Sequence, residues 1–472
     1  MTDYEVVIGL EIHVELKTKS KIFCSCPTDF GAAPNTQVCP VCLGLPGTLP
    51  VLNRQVVEYA VTAGLALDCE ISRYSKSDRK NYMYPDLPKA YQISQYDLPL
   101  CEHGHLTINA GDGEKTIGIT RIHIEEDAGK LIHDPELGTL IDCNRCGVPL
   151  IEIVTEPDIR SAAEAVAFLE KLRATICYTG VSDCKMNEGS LRCDVNLSVR
   201  PRGETKLGTR TETKNLNSFQ SVRRAAEYET QRQIAAIEAG ECIVQETRRF
   251  DQNDGRTYSM RRKEDANDYR YFPDPDLAPI ILDREQIDAL RAALPVLPEQ
   301  RRRMYIERFG LTAFDAQLLT GRPELADWFE VAAAQTRYPK LLANLLITEG
   351  FRLLETDSDI PVSQPHLAEL ADMLGDGKLN SSAAKRVFAE LWAHDEDPEP
   401  VVERLGLSMV SDEAALAEQV AAVIAACPAA VADYRRGKTK AFGAIMGQAM
   451  RATGGRADTD ILKRLILKAL EY

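Results

Sequence analysis

A single stretch near the start of the chain, Gly9 to Leu16 (GLEIHVEL), limits the fold most strongly because its apolar and polar residues alternate. Successive side chains of a β-strand point to opposite faces of a sheet, so the pattern predicts a strand with one apolar and one polar face. The polar residues are Glu11, His13 and Glu15.

Three later stretches repeat this alternation, at Ile122 to Lys130, Pro149 to Glu156 and Leu191 to Arg200. If the four strands share one sheet, one face of that sheet is lined with carboxylates. The polar side chains of the later stretches are His123, Glu125, Asp127, Glu152, Arg192, Asp194 and Asn196.

This polar face has two interpretations. An amphipathic strand is most often simply half exposed to water. Short carboxylates are depleted in strands, however, and two like charges about 4 Å apart repel by about 4 kcal/mol at an effective dielectric constant of about 20. A cluster of acids therefore indicates a bound cation or raised pKa values. Oxygen ligands with one imidazole suit Mg²⁺ or Mn²⁺, which hold nucleotide phosphates in ligases.

The length of 472 residues indicates about two to four domains, and the net charge of −15 argues against a general nucleic-acid coat protein. A local basic site is compatible with this charge, because salt screens fields beyond about 8 Å. No apolar run approaches the ~20 residues of a membrane span, and the N-terminus lacks the basic start of a signal peptide. We therefore predict a cytoplasmic protein that does not bind membranes.

Thirteen cysteines in a chain without an export signal favour metal ligation over a disulfide framework. The run CSC at residues 24–26 is followed by CPVCLG at residues 39–44, a turn typical of zinc knuckles. The predicted structural Zn²⁺ ligands are Cys24, Cys26, Cys39 and Cys42. Four unligated thiols are the alternative. Two further groups, Cys143 with Cys146 and the CEHGH run at residues 101–105, lack an obvious second arm.

Residues 78–100 interleave tyrosines with cations and contain three prolines, which exclude a long helix. Such a loop binds a nucleotide by stacking and phosphate contact, or its tyrosines simply pack it against the domain. The candidates for nucleotide contact are Tyr82, Tyr84, Lys89 and Tyr91. A second basic and aromatic loop spans residues 259–279.

Apolar residues at helical spacing predict a helix from Ser161 to Tyr178, with Ser161 and Glu164 forming a capping box. A second helix is predicted over residues 220–239, ended by Gly240. From about residue 282 the pattern is helical, for example over residues 287–294, 341–354 and 383–392. The acidic, proline-broken run DEDPEP at residues 395–400 places a boundary near residue 405.

These patterns predict an α+β fold with three domains. A large domain with a mixed or antiparallel sheet and the zinc knuckle spans residues 1–290, an all-α domain residues 291–405, and a small all-α tail domain residues 406–472. The tail carries nine Lys or Arg against two Asp between Arg435 and Lys468, which is typical of phosphate-backbone contact. A solvated helix face is the alternative. The predicted contacts are Arg435, Arg436, Lys438, Lys440, Arg451 and Arg456.

Several nucleotide and amidase motifs are missing from the sequence. There is no GxxxxGK[ST] loop and no strand followed by GxGxxG, so metal and acids would have to hold a nucleotide. There is no GxSxG, and no glycine- and serine-rich run of the kind that amidases carry around their nucleophile. The chain is therefore not expected to release ammonia from an amide donor by itself.

Seven motifs follow one another along essentially the whole chain. They are GLEIHVEL, DRKNYMYPDLPKAYQISQYD, IHIEEDAGK, NRCGVPLIEIVTEPD, NEGSLRCDVN, TETKNLNSF and DYRYFPDPDL. Together they resemble the B subunits of aspartyl/glutamyl-tRNA amidotransferases. The resemblance implies an ATP-dependent ligase, acting in translation, that phosphorylates the side-chain carboxylate of Glu on the glutamine tRNA, or of Asp on the asparagine tRNA, and aminates it. It also implies a cradle domain, a separate amidase (A) subunit that supplies ammonia from glutamine, and a small C subunit.

The resemblance assigns roles to the polar face. The implied catalytic residues are Glu11, His13, Glu125, Glu126, Lys130, Glu152, Arg192, Asp194 and Lys214. Among them, Glu11, His13, Glu125 and Glu152 would hold Mg²⁺, and the cations would add positive charge near the transferring oxygens. Zinc occurs in only some family members, at the positions of the four early cysteines. This sequence departs from the family pattern at Cys143 and Cys146, at Asn187 and in the ADTD run near residue 458.

Two other functions are open on the residues alone. One is a tRNA-binding scaffold whose acids pack or hold a structural ion. The other is a metal-dependent ligase for a small carboxylate, which would need neither tRNA nor the basic tail. Within the favoured function, Glu-tRNA(Gln), Asp-tRNA(Asn) or both are compatible with the motifs.

Overall fold

The computed structural model of the chain describes residues 3–111, 113–262, 268–354, 360–409, 413–454 and 457–470. The chain divides into two compact units, residues 1–297 and residues 298–472. The first unit combines sheets with helices and the second is helical, which confirms the predicted α+β class. The three-domain division stays a prediction.

The first unit contains a large sheet and several small ones. Its strands are β1 (Tyr4–Glu15), β2 (Glu70–Ile71), β3 (Tyr74–Ser75), β4 (Asp78–Asn81), β5 (Tyr91–Ser94), β6 (Cys101–Asn109), β7 (Glu114–Glu126), β8 (Lys130–Asp134), β9 (Gly138–Asp142), β10 (Pro149–Thr155), β11 (Leu191–Pro201), β12 (Thr211–Lys214), β13 (Glu246–Asp251), β14 (Arg256–Arg262), β15 (Phe272–Pro273) and β16 (Ile280–Ile281). Its helices are α1 (Arg54–Ala66), α2 (Ala162–Thr179), α3 (Phe219–Glu238) and α4 (Arg284–Ala292).

The large sheet has the order β14-β13-β12-β11-β1-β10-β7-β6-β2 within the described ranges. The four alternating stretches of the sequence lie in β11, β1, β10 and β7, which are consecutive neighbours in this order. Each of these three pairs is antiparallel. The four stretches therefore share one sheet, which is the condition under which the sequence predicts a carboxylate-lined face.

Helices α1, α2 and α3 share one hydrophobic core with the apolar face of this sheet. Ile12 and Ile153 from the strands and Phe168 and Val222 from the helices are all fully buried there. Burial of one such side chain contributes roughly 1.5–3 kcal/mol. Because the helices occupy the apolar face, the polar face is free to form a site.

Helix α2 begins where the sequence predicts it, but its cap differs from the predicted box. The Ser161 hydroxyl accepts a hydrogen bond from the Glu164 backbone N–H at 3.1 Å. The reciprocal half of the box is wrong, because the Glu164 carboxylate accepts from the Arg160 N–H at 2.8 Å and from Lys115 at 2.7 Å. The ammonium of Lys115, on the neighbouring strand β7, holds the Glu164 carboxylate away from the cap residue.

A three-stranded sheet, β15-β4-β5, contains part of the tyrosine-rich segment. The segment forms no long helix, as predicted, and folds partly into the short strands β4 and β5. Gln92 of β5 donates to the Glu126 carbonyl at 2.7 Å, and Gln95 accepts from the Ile124 N–H at 2.9 Å. These bonds fix the small sheet against the end of β7. Strands β16 and β3 form one further pair, and β8 and β9 another.

The second unit consists of helices. They are α5 (Pro298–Phe309), α6 (Ala313–Leu319), α7 (Pro323–Ala333), α8 (Pro339–Leu345), a π-helical turn (Leu346–Gly350), α9 (Phe351–Leu353), α10 (Gln364–Gly375), α11 (Ser381–Ala393), α12 (Pro398–Leu405), α13 (Glu413–Ala426), α14 (Pro428–Arg435), α15 (Lys440–Ala452) and α16 (Thr459–Leu470). The helix predicted over residues 341–354 thus contains a π-helical turn.

Two separate hydrophobic clusters stabilise these helices. One extends from Tyr305 to Leu407, and the other from Leu416 to Leu470. Among the described helices, none by itself is long and apolar enough to cross a membrane. Helices α13 and α14 satisfy that criterion only as a pair, which is bent by 89°.

Candidate active site and metal centres

The register of the large sheet brings the predicted polar residues together. His13 lies opposite Glu152 across β1 and β10, and Glu152 lies opposite His123 across β10 and β7. On the other side of β1, Glu11 lies opposite Asp194 of β11. Side chains directly opposite in adjacent strands lie close together, so the sheet itself gathers these groups into two clusters.

We call His13, Glu125 and Glu152 the first acidic cluster. Each offers a ligand atom within 4.8 Å of the others. The His13 Nε2 lies 3.2 Å from Glu125 Oε1 and 3.6 Å from Glu152 Oε2. His123 adjoins the cluster, with its Nε2 at 3.4 Å from Glu152 Oε2 and 3.8 Å from Glu125 Oε2.

Charges in the first acidic cluster are strongly coupled. Burial lowers the pKa of His13, but hydrogen bonding to Glu125 and the charges of Glu125 and Glu152 outweigh burial and raise the pKa to about 9. Burial raises the pKa of Glu125, but His123 and His13 outweigh it and hold the pKa well below its usual range. The cluster therefore contains an ionised carboxylate next to a protonated imidazole, and the imidazole proton occupies the position that a metal cation would take.

Unpartnered atoms in the first acidic cluster support a metal cation there. The Oε2 of Glu125 and the Nδ1 of His123 are buried and make no hydrogen bond. A buried polar atom without a partner is costly, and a ligand that fills its place removes the cost. One imidazole with two carboxylates is also a donor set that suits Mg²⁺ or Mn²⁺. The residues therefore fit such a cation.

We call Glu11, Asp194 and Glu212 the second acidic cluster, whose ligand atoms also lie within 4.8 Å of one another. Burial, followed by the charge of Glu152, raises the pKa of Glu11. Lys214 contacts both Asp194 and Glu212, and it lies 3.0 Å from Glu212. The four residues predicted to hold one Mg²⁺ are therefore divided between two clusters, with Glu11 in the second.

The other predicted catalytic residues differ in their contacts and in their exposure to solvent. Arg192 forms an ion pair with Asp127 at 2.5 Å, near the end of β7. Glu126 contacts Lys89 and accepts the Ile93 N–H at 2.9 Å. Lys130 lies on β8 with an exposed side chain.

The four residues predicted to contact a nucleotide do not lie in one place. Lys89, Tyr91 and Glu126 line one cavity of about 210 Å³, which also borders the predicted zinc ligands Cys24 and Cys42. The Tyr91 ring lies 4.3 Å from the Arg79 guanidinium. Tyr82 packs edge-on against Tyr269 at 5.9 Å, whereas Tyr84 is 60% exposed. Part of the second aromatic loop, residues 263–267, lies outside the described residues.

The four early cysteines converge as predicted, with all four sulfurs within 4.8 Å of one another. Hydrogen bonding by the Cys24 thiol, together with the Cys39 N–H and the charge of Lys21, lowers the pKa of Cys42 to about 4 despite burial. Lys21 is fully buried, and its ammonium lies 3.6 Å from the Cys42 sulfur. Four converging sulfurs with a lowered thiol pKa fit a tetrahedral Zn²⁺.

The basic residues predicted in the tail are largely exposed. Arg435, Lys440 and Arg451 are exposed to solvent. Arg436 and Lys438 are also exposed, and both form an ion pair with Asp433, at 2.9 and 3.3 Å. Arg456 lies outside the described residues.

Four residues of this region, named below, were not among the predicted catalytic residues. Glu212 alternates with Lys214 in β12, and His123 and Asp127 follow the polar period of β7, so periodicity was the available signal for all three. Lys80 carries no such signal, because the nearer of the two aromatic rings beside it, that of Tyr269, belongs to a loop almost 190 residues later.

Known proteins match this chain over nearly its whole length. The family model of a GatB/GatE catalytic domain matches residues 6–288, and that of a GatB domain matches residues 327–470. The chain is 54% identical over 477 residues to the B subunit of the aspartyl/glutamyl-tRNA(Asn/Gln) amidotransferase of Caldicellulosiruptor saccharolyticus, covering 99% of both chains. It is 53% identical to the proteins of the same name from Carboxydothermus hydrogenoformans, covering 99% and 98%, and from Agathobacter rectalis, covering all of both chains.

Proposed function

Because this chain belongs to the family of aspartyl/glutamyl-tRNA(Asn/Gln) amidotransferase B subunits, we propose that its carboxylate-lined sheet face is the site where the misacylated amino acid is activated. The chain is a ligase component of protein biosynthesis, acting in ATP-dependent transamidation of Glu-tRNA(Gln), Asp-tRNA(Asn) or both. The convergence of His13, Glu125 and Glu152 within 4.8 Å is the observation that carries the proposal.

The reaction explains why a carboxylate site is needed. An oxygen of the substrate carboxylate attacks the γ-phosphorus of ATP, and the bond to ADP breaks. Ammonia then attacks the acyl carbon, phosphate leaves with the electron pair of the acyl C–O bond, and a proton passes from the nitrogen to the phosphate. The first step brings two anions together, so charge neutralisation is the main requirement.

We assign the first acidic cluster to Mg²⁺, which when bound would neutralise phosphate charge and align the γ-phosphoryl group. His13, Glu125 and Glu152 would hold the ion, and His123 would orient the carboxylates through its contact with Glu152 at 3.4 Å. Asp127 holds the Arg192 guanidinium in place through its ion pair.

We assign the second acidic cluster to a further divalent cation that would accompany the nucleotide. Three carboxylates face one another there, and Lys214 contacts two of them. Lys214 fixes the orientation of Asp194 and Glu212, and Asn196 fixes that of Glu11 by a hydrogen bond of 2.9 Å. These contacts hold the three carboxylates in position for a cation.

We further propose that the four early cysteines bind Zn²⁺ in a structural role. A tetrahedral four-thiolate site leaves no open position for a substrate, so such a site stabilises the fold. The relatives are named as B subunits, which indicates a complex of several subunits. We propose that the partners of this chain are an amidase (A) subunit, a small C subunit and misacylated tRNA, and that it acts in the cytoplasm.

The test is ADP release from Mg-ATP by the complex, with glutamyl-tRNA(Gln) compared with glutaminyl-tRNA(Gln). We expect only the misacylated tRNA to stimulate ADP release, and Glu125→Gln to abolish that stimulation. Glu114→Gln is the control, because Glu114 lies on the same strand β7 but is exposed.

The alternatives give different results in the same assay. A scaffold without chemistry predicts unchanged ADP release in Glu125→Gln. A ligase for a small carboxylate predicts ADP release with free glutamate and no tRNA. If only Asp-tRNA(Asn) stimulates ADP release, the proposed chemistry stands and the substrate is Asp-tRNA(Asn).

A further inference from the structure

Lys80 lies on β4, in the small sheet that is fixed against the end of β7. Its strand partner is Gln92 of β5, and Gln92 donates a hydrogen bond to the Glu126 carbonyl at 2.7 Å. Glu126 directly follows Glu125 of the first acidic cluster. The backbone of Lys80 is thus connected to the metal-binding strand by hydrogen bonds.

The Lys80 ammonium is positioned by aromatic rings. It lies 5.1 Å from the centroid of the Tyr269 ring and 5.9 Å from that of Tyr82. Tyr269 in turn packs edge-on against Tyr271 at 6.1 Å. A cation over aromatic faces is attracted by their quadrupoles, which keeps the ammonium in place without neutralising its charge.

Within the described part of the chain, Lys80 differs from three neighbouring cations of this sheet and its flanks, because each of those three has a carboxylate partner. Lys76 is paired with Asp78, Arg79 with Asp274, and Lys89 with Glu126. Among the residues that the structure describes, no carboxylate lies within ion-pair distance of Lys80. The cation is therefore available to an anion from outside.

The first acidic cluster keeps Lys80 charged. Burial lowers the pKa of its ammonium, but the charges of Glu125, the Tyr271 hydroxyl and Glu152 outweigh burial and raise the pKa above its ordinary value. The attraction also shows that Lys80 shares the electrostatic environment of the first acidic cluster. A positive charge thus acts on the proposed metal site, and no carboxylate of the described residues pairs with it.

We propose that Lys80 is a further catalytic residue of the activation step, whose ammonium contacts the phosphoryl group while it passes from ATP to the substrate carboxylate. This inference rests on the proposed function. The bond from phosphorus to the ADP oxygen breaks and the bond to the carboxylate oxygen forms, and the Lys80 proton stays on nitrogen throughout. Lys80 contributes only charge, which stabilises the developing negative charge on the transferring and leaving oxygens.

The test compares Lys80→Met with wild type in the assembled complex, by tRNA-stimulated ADP release. We expect kcat to fall about 100-fold or more, as for the loss of a single charge-stabilising donor, with KM for ATP changed by less than about threefold. Lys19→Met is the control, because Lys19 is exposed and lies outside both acidic clusters. It should retain wild-type kcat.

A second variant separates the charge from a structural role. Lys80→Ala leaves space for a small amine, so added propylammonium should restore part of the lost kcat, whereas propanol should not. The melting temperature should match the wild type in both variants, and Mn²⁺ should bind at least as tightly, because a cation near its ligands is removed. Loss of activity with loss of Mn²⁺ binding, or without rescue by the amine, would assign Lys80 a structural role and overturn the proposal.

The remaining outcomes distinguish this inference from its premise. Wild-type protein that releases no ADP with any misacylated tRNA would contradict the proposed function itself. Wild-type stimulation together with an unchanged kcat in Lys80→Met would overturn only the role of Lys80. A raised KM for ATP at unchanged kcat would also overturn it, because the contact would then serve nucleotide binding alone.

Discussion

His13 carries a proton in the same place where the proposed metal ion would bind. Its imidazolium is stabilised by Glu125 and Glu152, the two carboxylates that complete the first acidic cluster. A metal ligand must be the neutral imidazole, so the proton and the cation compete for one position. This competition makes metal binding depend on pH.

The first prediction concerns this dependence. The pKa of His13 is raised to about 9, so His13 is protonated at neutral pH and loses its proton when the metal binds. Between about pH 6.5 and about pH 8.5 the Mn²⁺ affinity should therefore rise by about tenfold per pH unit, and it should level off above about pH 9. Electron paramagnetic resonance of free Mn²⁺ measures this directly.

Two variants identify the titrating group. In His13→Gln, Mn²⁺ should bind more weakly and the proton-coupled slope should disappear. Burial raises the pKa of nearby Glu15 to about 8, so Glu15→Gln is the matched control and should keep the slope. A slope that survives in His13→Gln would show that another group titrates.

A second residue-scale prediction concerns Lys21, which is fully buried beside the cysteine site. Four thiolates around one Zn²⁺ carry a net charge of −2, and the Lys21 ammonium 3.6 Å from Cys42 offsets part of it. Lys21→Met should therefore weaken zinc retention by about tenfold or more, in the range seen for outer partners of metal ligands.

The measurement is the rate of zinc transfer to a chromogenic chelator from purified protein. Lys17→Met is the control, because Lys17 lies on the same segment with an exposed side chain. Equal transfer rates in Lys21→Met and Lys17→Met would show that the Lys21 charge does not help to retain zinc. Purified, reduced protein without any zinc would contradict the zinc assignment itself.

At the scale of elements, the knuckle turn depends on Gly44 for two reasons. Gly44 has a φ of 65°, and a Cβ there would lie 2.6 Å from Lys89 Cγ and 3.1 Å from the Lys89 backbone nitrogen. Gly47, three residues later, has a φ of 84° but no atom within 4 Å of its Cβ position. Both glycines thus adopt a left-handed backbone conformation, but only Gly44 lies so close to another residue that a side chain would not fit.

The third prediction uses this pair. Each Gly→Ala change should cost roughly 1–2 kcal/mol from the left-handed backbone alone. Gly44→Ala should cost about 1–3 kcal/mol more than Gly47→Ala, because the methyl group overlaps the Lys89 segment. Denaturant unfolding of the two variants gives the difference, and equal losses would show that the Lys89 segment yields without cost.

Sequence periodicity predicted the strands and helices better than it predicted their neighbours. The alternation in β1, β7, β10 and β11 is a local property, and so are the Ser161 cap and the CPVCLG turn. The placement of Glu11 with Asp194 and Glu212 depends on pairing between distant strands, which no local pattern encodes. The ring of Tyr269 over Lys80 depends on a chain reversal of the same kind.

At the scale of the whole molecule, the two acidic clusters and the basic tail lie in different parts of the chain. The carboxylate clusters belong to the first unit, and the exposed cations of α14 and α15 belong to the second. This division was visible in the sequence, because charge and composition need no tertiary information. A chain of net charge −15 is compatible with tRNA binding, because the tail from Arg435 to Lys468 has a local excess of Lys and Arg.

The last prediction tests the tail as a phosphate-binding surface. Arg435→Glu combined with Lys440→Glu should weaken tRNA binding and lower the slope of log affinity against log salt by about two contacts, at about 0.7–0.9 per contact. Arg54→Glu with Arg284→Glu is the matched control, because both side chains are more than 80% exposed and lie in the first unit. It changes the net charge equally and should leave the slope unchanged. Filter binding over a salt series measures both, and equal slopes would assign the tail cations to a solvated helix face.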